Sequence, residues 1–120
     1  MNGTLLVAED HQSARELIAY ALEGEGYRLV FAETGTEASS VVTAEPPDAA
    51  LLDVSLPGLS GAEVCRQIKN RRHSTPVILM SGALGRRELA DETSSAGADA
   101  FLPKPFSLDE LRTVLRAFMR

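Results

Sequence analysis

Short apolar runs alternate with segments whose apolar residues recur at helical spacing, and the alternation repeats along the whole chain. Leu5-Leu6-Val7-Ala8 is followed by Ala14, Leu17, Ile18, Ala21 and Leu22, one face of a helix, which Gly24 and Gly26 stop. Leu29-Val30-Phe31 precedes a helix carrying Ala38, Val41 and Val42. Pro46-Pro47 closes it, because the first proline bars the helical conformation at Glu45 and neither proline donates an N–H. Ala49-Ala50-Leu51-Leu52 and Val77-Ile78-Leu79-Met80 are the third and fourth runs, with Val64, Cys65 and Ile68 marking a helix face between them. Ala100-Phe101-Leu102 is the fifth, and Leu108, Leu111, Leu115, Phe118 and Met119 form the inner face of a last helix. Thr34 with Glu37, Ser60 with Glu63, and Ser107 with Glu110 have the spacing of reciprocal capping boxes. Between Arg86 and Ser95 the only apolar anchors are Leu84, Leu89 and Ala90, so a short or mobile helix is expected there.

Five strands alternating with five helices predict an α/β domain, a five-stranded parallel sheet with helices on both faces. The strands read as continuous apolar runs, as central parallel strands buried on both sides do. The 120 residues make one domain, 1–120, and 44 % hydrophobic with 24 % charged residues rules out disorder. Twelve basic against 17 acidic residues, net −5, disfavour a basic surface for nucleic acid or anionic membrane. One cysteine, Cys65, forms no internal disulfide, and no run reaches membrane-spanning length, so a cytoplasmic protein is expected.

In an open α/β sheet the ligand site lies beyond the carboxyl ends of the strands. Here the first run ends in Glu9-Asp10, the third in Asp53 and the fourth in Ser81, while Lys104 follows the fifth. Clustered carboxylates repel, and a hard cation relieves them; Mg²⁺ suits a few carboxylates plus water and a phosphate oxygen. A lysine and a hydroxyl opposite such a cluster can hold the remaining oxygens of a phosphoryl group. Asp53, alone at the end of the middle strand, is then the natural nucleophile for an aspartyl-phosphate, and the adjacent Glu9 and Asp10 suit the metal.

Glu9-Asp10, Asp53-Val54-Ser55-Leu56-Pro57-Gly58 with Ser60-Gly61, Met80-Ser81-Gly82, Gly97-Ala98-Asp99 and Lys104-Pro105-Phe106 follow one another in an order that closely resembles the receiver domain of two-component response regulators. The resemblance covers essentially the whole chain and implies the (βα)5 flavodoxin/receiver-like fold with strand order 2-1-3-4-5, an order general accounts of such folds already give for this family. It implies that Asp53 accepts a phosphoryl group from the phosphohistidine of a sensor histidine kinase or a histidine phosphotransfer protein. It implies Mg²⁺ on Glu9, Asp10, Asp53 and the backbone carbonyl of Ser55, with Lys104 pairing first with the carboxylate and then with phosphoryl oxygens. Ser81 and Phe101 resemble the hydroxyl and aromatic of a switch that alters the surface of the fourth helix, fifth strand and fifth helix for a downstream effector protein or domain. The Lys104–Pro105 bond is expected to be cis. Such a domain is a phosphoacceptor, not an enzyme, apart from promoting its own phosphorylation and slow self-dephosphorylation. Glu9 stands where the family often has Asp, Ser81 where Thr is commoner, and Leu56 where Met is frequent. Val114 stands where one subfamily carries an arginine for dimer salt bridges, so that style of dimer is not expected, and a weak homodimer is the alternative.

Two other classes share pieces of this chemistry. A haloacid-dehalogenase-like phosphatase also uses an aspartyl-phosphate, but with DxD after its first strand. A flavodoxin-like FMN binder needs a hydroxyl- and glycine-rich loop where Glu9-Asp10 would repel phosphate. A degenerate receiver acting purely as an interaction module is opposed by the complete acid, hydroxyl and lysine set. Cys65 is expected to pack in the core, His11 to sit in a solvent-exposed loop with the outer shell of a metal as the alternative, and His73 to mark a solvated helix end. Gly24-Glu25-Gly26 follows a helix and is no dinucleotide fingerprint. An initiator-like Met1 and no trailing linker favour a stand-alone or N-terminal receiver.

Overall fold

Each apolar run becomes a strand and each periodic segment a helix in the computed structural model, which describes residues 3–118. The elements are β1 (Gly3–Ala8), α1 (Gln12–Ala21), β2 (Tyr27–Ala32), α2 (Gly35–Ala44), β3 (Ala49–Asp53), α3 (Gly61–Arg71), β4 (Val77–Ser81), α4 (Arg86–Ala96), β5 (Ala100–Pro103) and α5 (Leu108–Phe118). The strands form one parallel sheet in the order 2-1-3-4-5. β1, β3 and β4 sit inside it, and this is why their runs are apolar throughout. Alternate residues of each strand feed opposite layers. Leu5, Val7, Leu51, Ile78 and Met80 meet Ile18 and Ala21 of α1 and Leu111 and Leu115 of α5. Leu6, Ala8, Leu52 and Leu79 meet Ala38 and Val42 of α2, Val64, Cys65 and Ile68 of α3, and Leu89 of α4. No helix among the described residues is long and apolar enough to cross a membrane.

Several expectations shift on contact with the fold. β2 is an edge strand, so Phe31 is 36 % exposed and Leu29 and Val30 are half-buried. Leu17 lies at the margin of the α1 stripe and is 47 % exposed, because α1 packs on the sheet through the narrower Ile18, Ala21, Leu22 line. Phe118 is likewise exposed, and Met119 lies outside the described residues. Two capping boxes are reciprocal: Ser60 with Glu63, and Ser107 with Glu110. Thr34 accepts the Glu37 N–H, but the Glu37 carboxylate takes the N–H of Glu33 instead.

α4 is a full eleven-residue helix, not a short one. Its buried side consists of Leu89, Thr93 and Ala96. The Thr93 hydroxyl donates back to the Leu89 carbonyl (2.7 Å), so a nominally polar residue presents its methyl to the core without an unpaired group. Glu88 accepts the Gly85 N–H, and Gly97 closes the helix at φ 78°. The sequence pattern undercounts this helix because its anchors are small or carry a locally satisfied hydroxyl.

Candidate functional site

The parallel sheet brings every singled-out strand end to one edge. Past β1, the Glu9 N–H donates to Ala32 (2.9 Å), which holds the chain against the neighbouring strand end. Past β3, the Val54 N–H donates to Met80 (2.9 Å), and past β5 the Lys104 N–H donates to Ser81 (2.8 Å). The Lys104–Pro105 peptide is cis. α3 starts close under Asp53, and Gly61 is what permits it: a Cβ there would lie 2.2 Å from the Asp53 carbonyl oxygen.

Within this frame the Lys104 Nζ donates to Asp53 Oδ2 (2.6 Å) and to Glu9 Oε1. Asp53 Oδ1 in turn accepts the Ser55 N–H (2.7 Å). Burial, the largest single influence on Lys104, works against its charge. The hydrogen bonds and charges of Asp53 and Glu9 together outweigh it and hold the ammonium above its ordinary range. Among the described residues no buried side-chain N or O lacks a hydrogen-bond partner.

The adjacent acids divide their work. Glu9 is fully buried beneath the site, its oxygens taken by Lys104 and by the backbone N–H and Nδ1 of His11. Asp10 is half-exposed and lines a cavity of about 380 Å³ with His11, Ser13, Ala14, Asp53, Ser55, Gly82, Ala83 and Lys104. Glu9, Asp10 and Asp53 carry three negative charges against the single ammonium of Lys104, and the donors facing the cavity are hard oxygens. This donor set fits a small divalent cation of the Mg²⁺ type.

Ser81 is buried at the end of β4, and its Oγ accepts the N–H groups of Ala83 (3.1 Å) and Leu84 (3.0 Å). The hydroxyl therefore pins the loop to α4, and Gly82 and Ala83, not Ser81, form that wall of the cavity. Phe101 is half-buried on β5 against the α2–α3–α4 layer. The fold thus brings Glu9, Asp10, Asp53, Ser55 and Lys104 together, with Ser81 at the adjoining end of β4 beside Lys104 but its hydroxyl turned to the following loop, and Phe101 further along the neighbouring strand.

Comparison with known proteins agrees with this geometry. The family model described as the response regulator receiver domain matches residues 5–116. The chain belongs to the response regulator receiver family. It is 36 % identical over 122 residues to response regulator MprA of Mycobacterium tuberculosis (strain ATCC 25618 / H37Rv), covering all of this chain and 52 % of the relative. It is 36 % identical over 118 residues to MprA of Mycolicibacterium vanbaalenii, covering 97 % of this chain and 50 % of that protein. The chain spans about half the length of the curated relatives it matches. Among solved structures, NtrX from Brucella abortus superposes with a TM-score of 0.87 at 30 % identity, over 99 % of this chain and 28 % of that one. A CheY-like receiver domain protein from Methanospirillum hungatei has a TM-score of 0.87 at 25 % identity over 98 % of this chain and 93 % of its own. Chemotaxis protein CheY4 of Vibrio cholerae, at 23 % identity and a TM-score of 0.88, shares the fold.

Arg15 stands at the site of this receiver domain without a signal in the sequence, and His11 takes the place beside the acid pair that was its alternative. Arg15 of α1 donates from Nη1 to the Glu9 carbonyl (2.9 Å) and approaches Glu33 (3.7 Å), so it braces the peptide that joins the acid pair. His11, expected to be a loop residue, does have an exposed ring, yet its Nδ1 lies 3.2 Å from both Glu9 Oε2 and Asp10 Oδ1. For Arg15 the helical position was legible, but only the tertiary arrangement aims it at a backbone carbonyl. His73 is exposed just beyond the end of α3, and Cys65 is buried with its thiol pushed up to about 11 by burial.

Proposed function

We propose that this receiver domain is a phosphoacceptor switch in which Asp53 takes a phosphoryl group from the phosphohistidine of a sensor histidine kinase or phosphotransfer protein. A carboxylate oxygen of Asp53 forms a bond to phosphorus as the phosphorus–nitrogen bond to the imidazole breaks, and the imidazole nitrogen keeps the electron pair. The observation that supports this most is the 2.6 Å contact between Asp53 Oδ2 and Lys104 Nζ at a cavity that Asp10 and Ser55 also line. Lys104 offsets the charge of the entering group, and its raised pKa keeps it cationic across the physiological range. Glu9 sets the position of Lys104 from below.

Asp10, Asp53 and the Ser55 carbonyl are the groups that would hold Mg²⁺, with Glu9 as the supporting acid. The cation supplies charge neutralisation and polarisation of phosphoryl oxygens when bound. Phosphorylation adds about −1.5 to −2 charges beside this acid set. The Ser81 hydroxyl then exchanges the Ala83 and Leu84 N–H groups for a phosphoryl oxygen, Phe101 turns inward, and the α4–β5–α5 surface changes its affinity for a downstream effector. Mass spectrometry after incubation with a small phosphodonor and Mg²⁺ tests the reading. One added phosphoryl group is expected, absent in Asp53→Ala; no added group, or undiminished labelling of that variant, overturns it.

A further inference from the structure

Arg86 opens α4, and its guanidinium carbon lies 5.4 Å from the centroid of the Phe101 ring. A cation over an aromatic face is attracted by the negative face of the ring, and arginine also stacks flat upon it. Among the described residues the ion pairs involve other cations, and Arg86 is in none of them. Asp109 and Glu110 line the same groove of about 340 Å³, but Asp109 approaches Arg112 (3.6 Å) and Glu110 accepts the Ser107 N–H.

We infer that Arg86 is a positioning residue that holds Phe101 in its resting, half-exposed place and couples that ring to the hydroxyl of Ser81. The connection is short. Ser81 Oγ takes the N–H groups of Ala83 and Leu84, the Glu88 carboxylate takes that of Gly85, and Arg86 follows directly. One loop is therefore pinned at one end by Ser81 and delivers the guanidinium at the other. Phe101 lies opposite Leu79 in the β4–β5 register, two residues before Ser81 and on the same face of the sheet. When Ser81 releases the loop, the start of α4 is freed, the stack is lost and the ring is free to move toward the space beside Ser81. This coupling rests on the phosphoacceptor reading, whereas the stack itself does not.

The experiment compares wild type, Arg86→Met, which keeps an unbranched apolar stem without the charge, and Arg86→Lys, which keeps the charge without the planar fork. Protein labelled with 4-fluorophenylalanine is followed by fluorine NMR, the Phe101 signal being assigned with Phe101→Leu. Labelling of Asp53 by a small phosphodonor is timed in parallel. Losing a cation–π contact at an exposed site is expected to lower the ratio of resting to inward ring about two- to fivefold and to quicken labelling by a similar factor. In Arg86→Met the resting signal moves toward its position in phosphorylated protein, and Arg86→Lys falls between Met and wild type. A Phe101 signal unchanged in Arg86→Met, or a Lys variant indistinguishable from Met, overturns the stack. A moved signal with an unchanged labelling rate overturns the coupling. Failure of wild type to label defeats the phosphoacceptor reading and with it the coupling, but the resting signal still tests the stack.

Discussion

The carboxyl end of β3 lines the acidic cavity, the amino end of α4 lies one loop beyond it past Gly82 and Ala83, and the two are held in different ways. Asp53 stands on a strand whose five residues are all buried, with one oxygen on Lys104, the other on a backbone N–H and its carbonyl against Gly61. α4 is anchored by one large apolar residue, Leu89, with Thr93 and Ala96 for the rest, and its first residue touches an aromatic ring, not a carboxylate. On the phosphoacceptor reading the reacting group needs a fixed position, and Asp53 sits where packing and hydrogen bonds over-determine it. A responding element must exchange one arrangement for another, so it sits where the opposing contacts are few. On that reading the contrast lets one small domain be rigid at its chemistry and adjustable a loop away.

Lys104→Met should break the rigid side most. It leaves the buried Glu9 and the nearly buried Asp53 without their shared cation, at a cost of up to about 3 kcal/mol in denaturant unfolding, since removing one partner of a buried pair leaves the other charge uncompensated. Phosphodonor labelling should fall more than tenfold in the same variant. A stability equal to wild type would show that Lys104 does not organise the site. Leu89→Ala attacks the other region and is expected to cost about 2–3 kcal/mol. Amide exchange should rise across residues 86–96 and stay unchanged in β3; uniform loss of protection would erase the distinction drawn above. Gly61→Ala forces a methyl toward a backbone oxygen and should cost roughly 1–3 kcal/mol. Its labelling of Asp53 should slow while the Phe101 signal of the resting protein stays put.

Smaller effects appear in alkali. The Lys104 pKa is raised in the folded protein, so its contribution is complete below the unfolded lysine value near 10.4 and disappears as pH climbs through the higher folded value. The stability gap between wild type and Lys104→Met should therefore hold through neutral pH and close above about pH 10.5. Cys65, its thiol pushed up to about 11 by burial, should resist alkylation at pH 8 in folded protein and react once unfolded. Rapid labelling of the folded protein would mean that the α3 face opens more readily than its packing implies.

Most of the fold was legible because hydrophobic pattern and turn chemistry agree along this chain. Continuous apolar runs read as interior parallel strands, and β1, β3 and β4 are that. The pattern alone did not separate β2 from these, because a three-residue apolar run looks alike on an interior strand and on an edge, although the expected strand order did place it at the edge. It understated α4, because Thr93 becomes apolar only when its hydroxyl finds Leu89. The acids, hydroxyl and lysine of the site were legible from their places at strand ends. Arg15 was not recognised as a neighbour of the acid pair, and for His11 a place beside the acids was only the alternative to an exposed loop, since both contacts depend on how α1 leaves the sheet.

By itself the sequence determined the α/β class, the strand and helix order and the residue types delivered to one edge, because local propensity and periodicity act along the chain. Tertiary structure decided which acid lies beneath Lys104 and which faces the cavity, where the Ser81 hydroxyl points, and that Arg86 meets Phe101. Those outcomes depend on the register of separate strands and the approach of separate helices. Distances between residues as far apart as Glu9 and Lys104 exist only once the sheet has closed around its core.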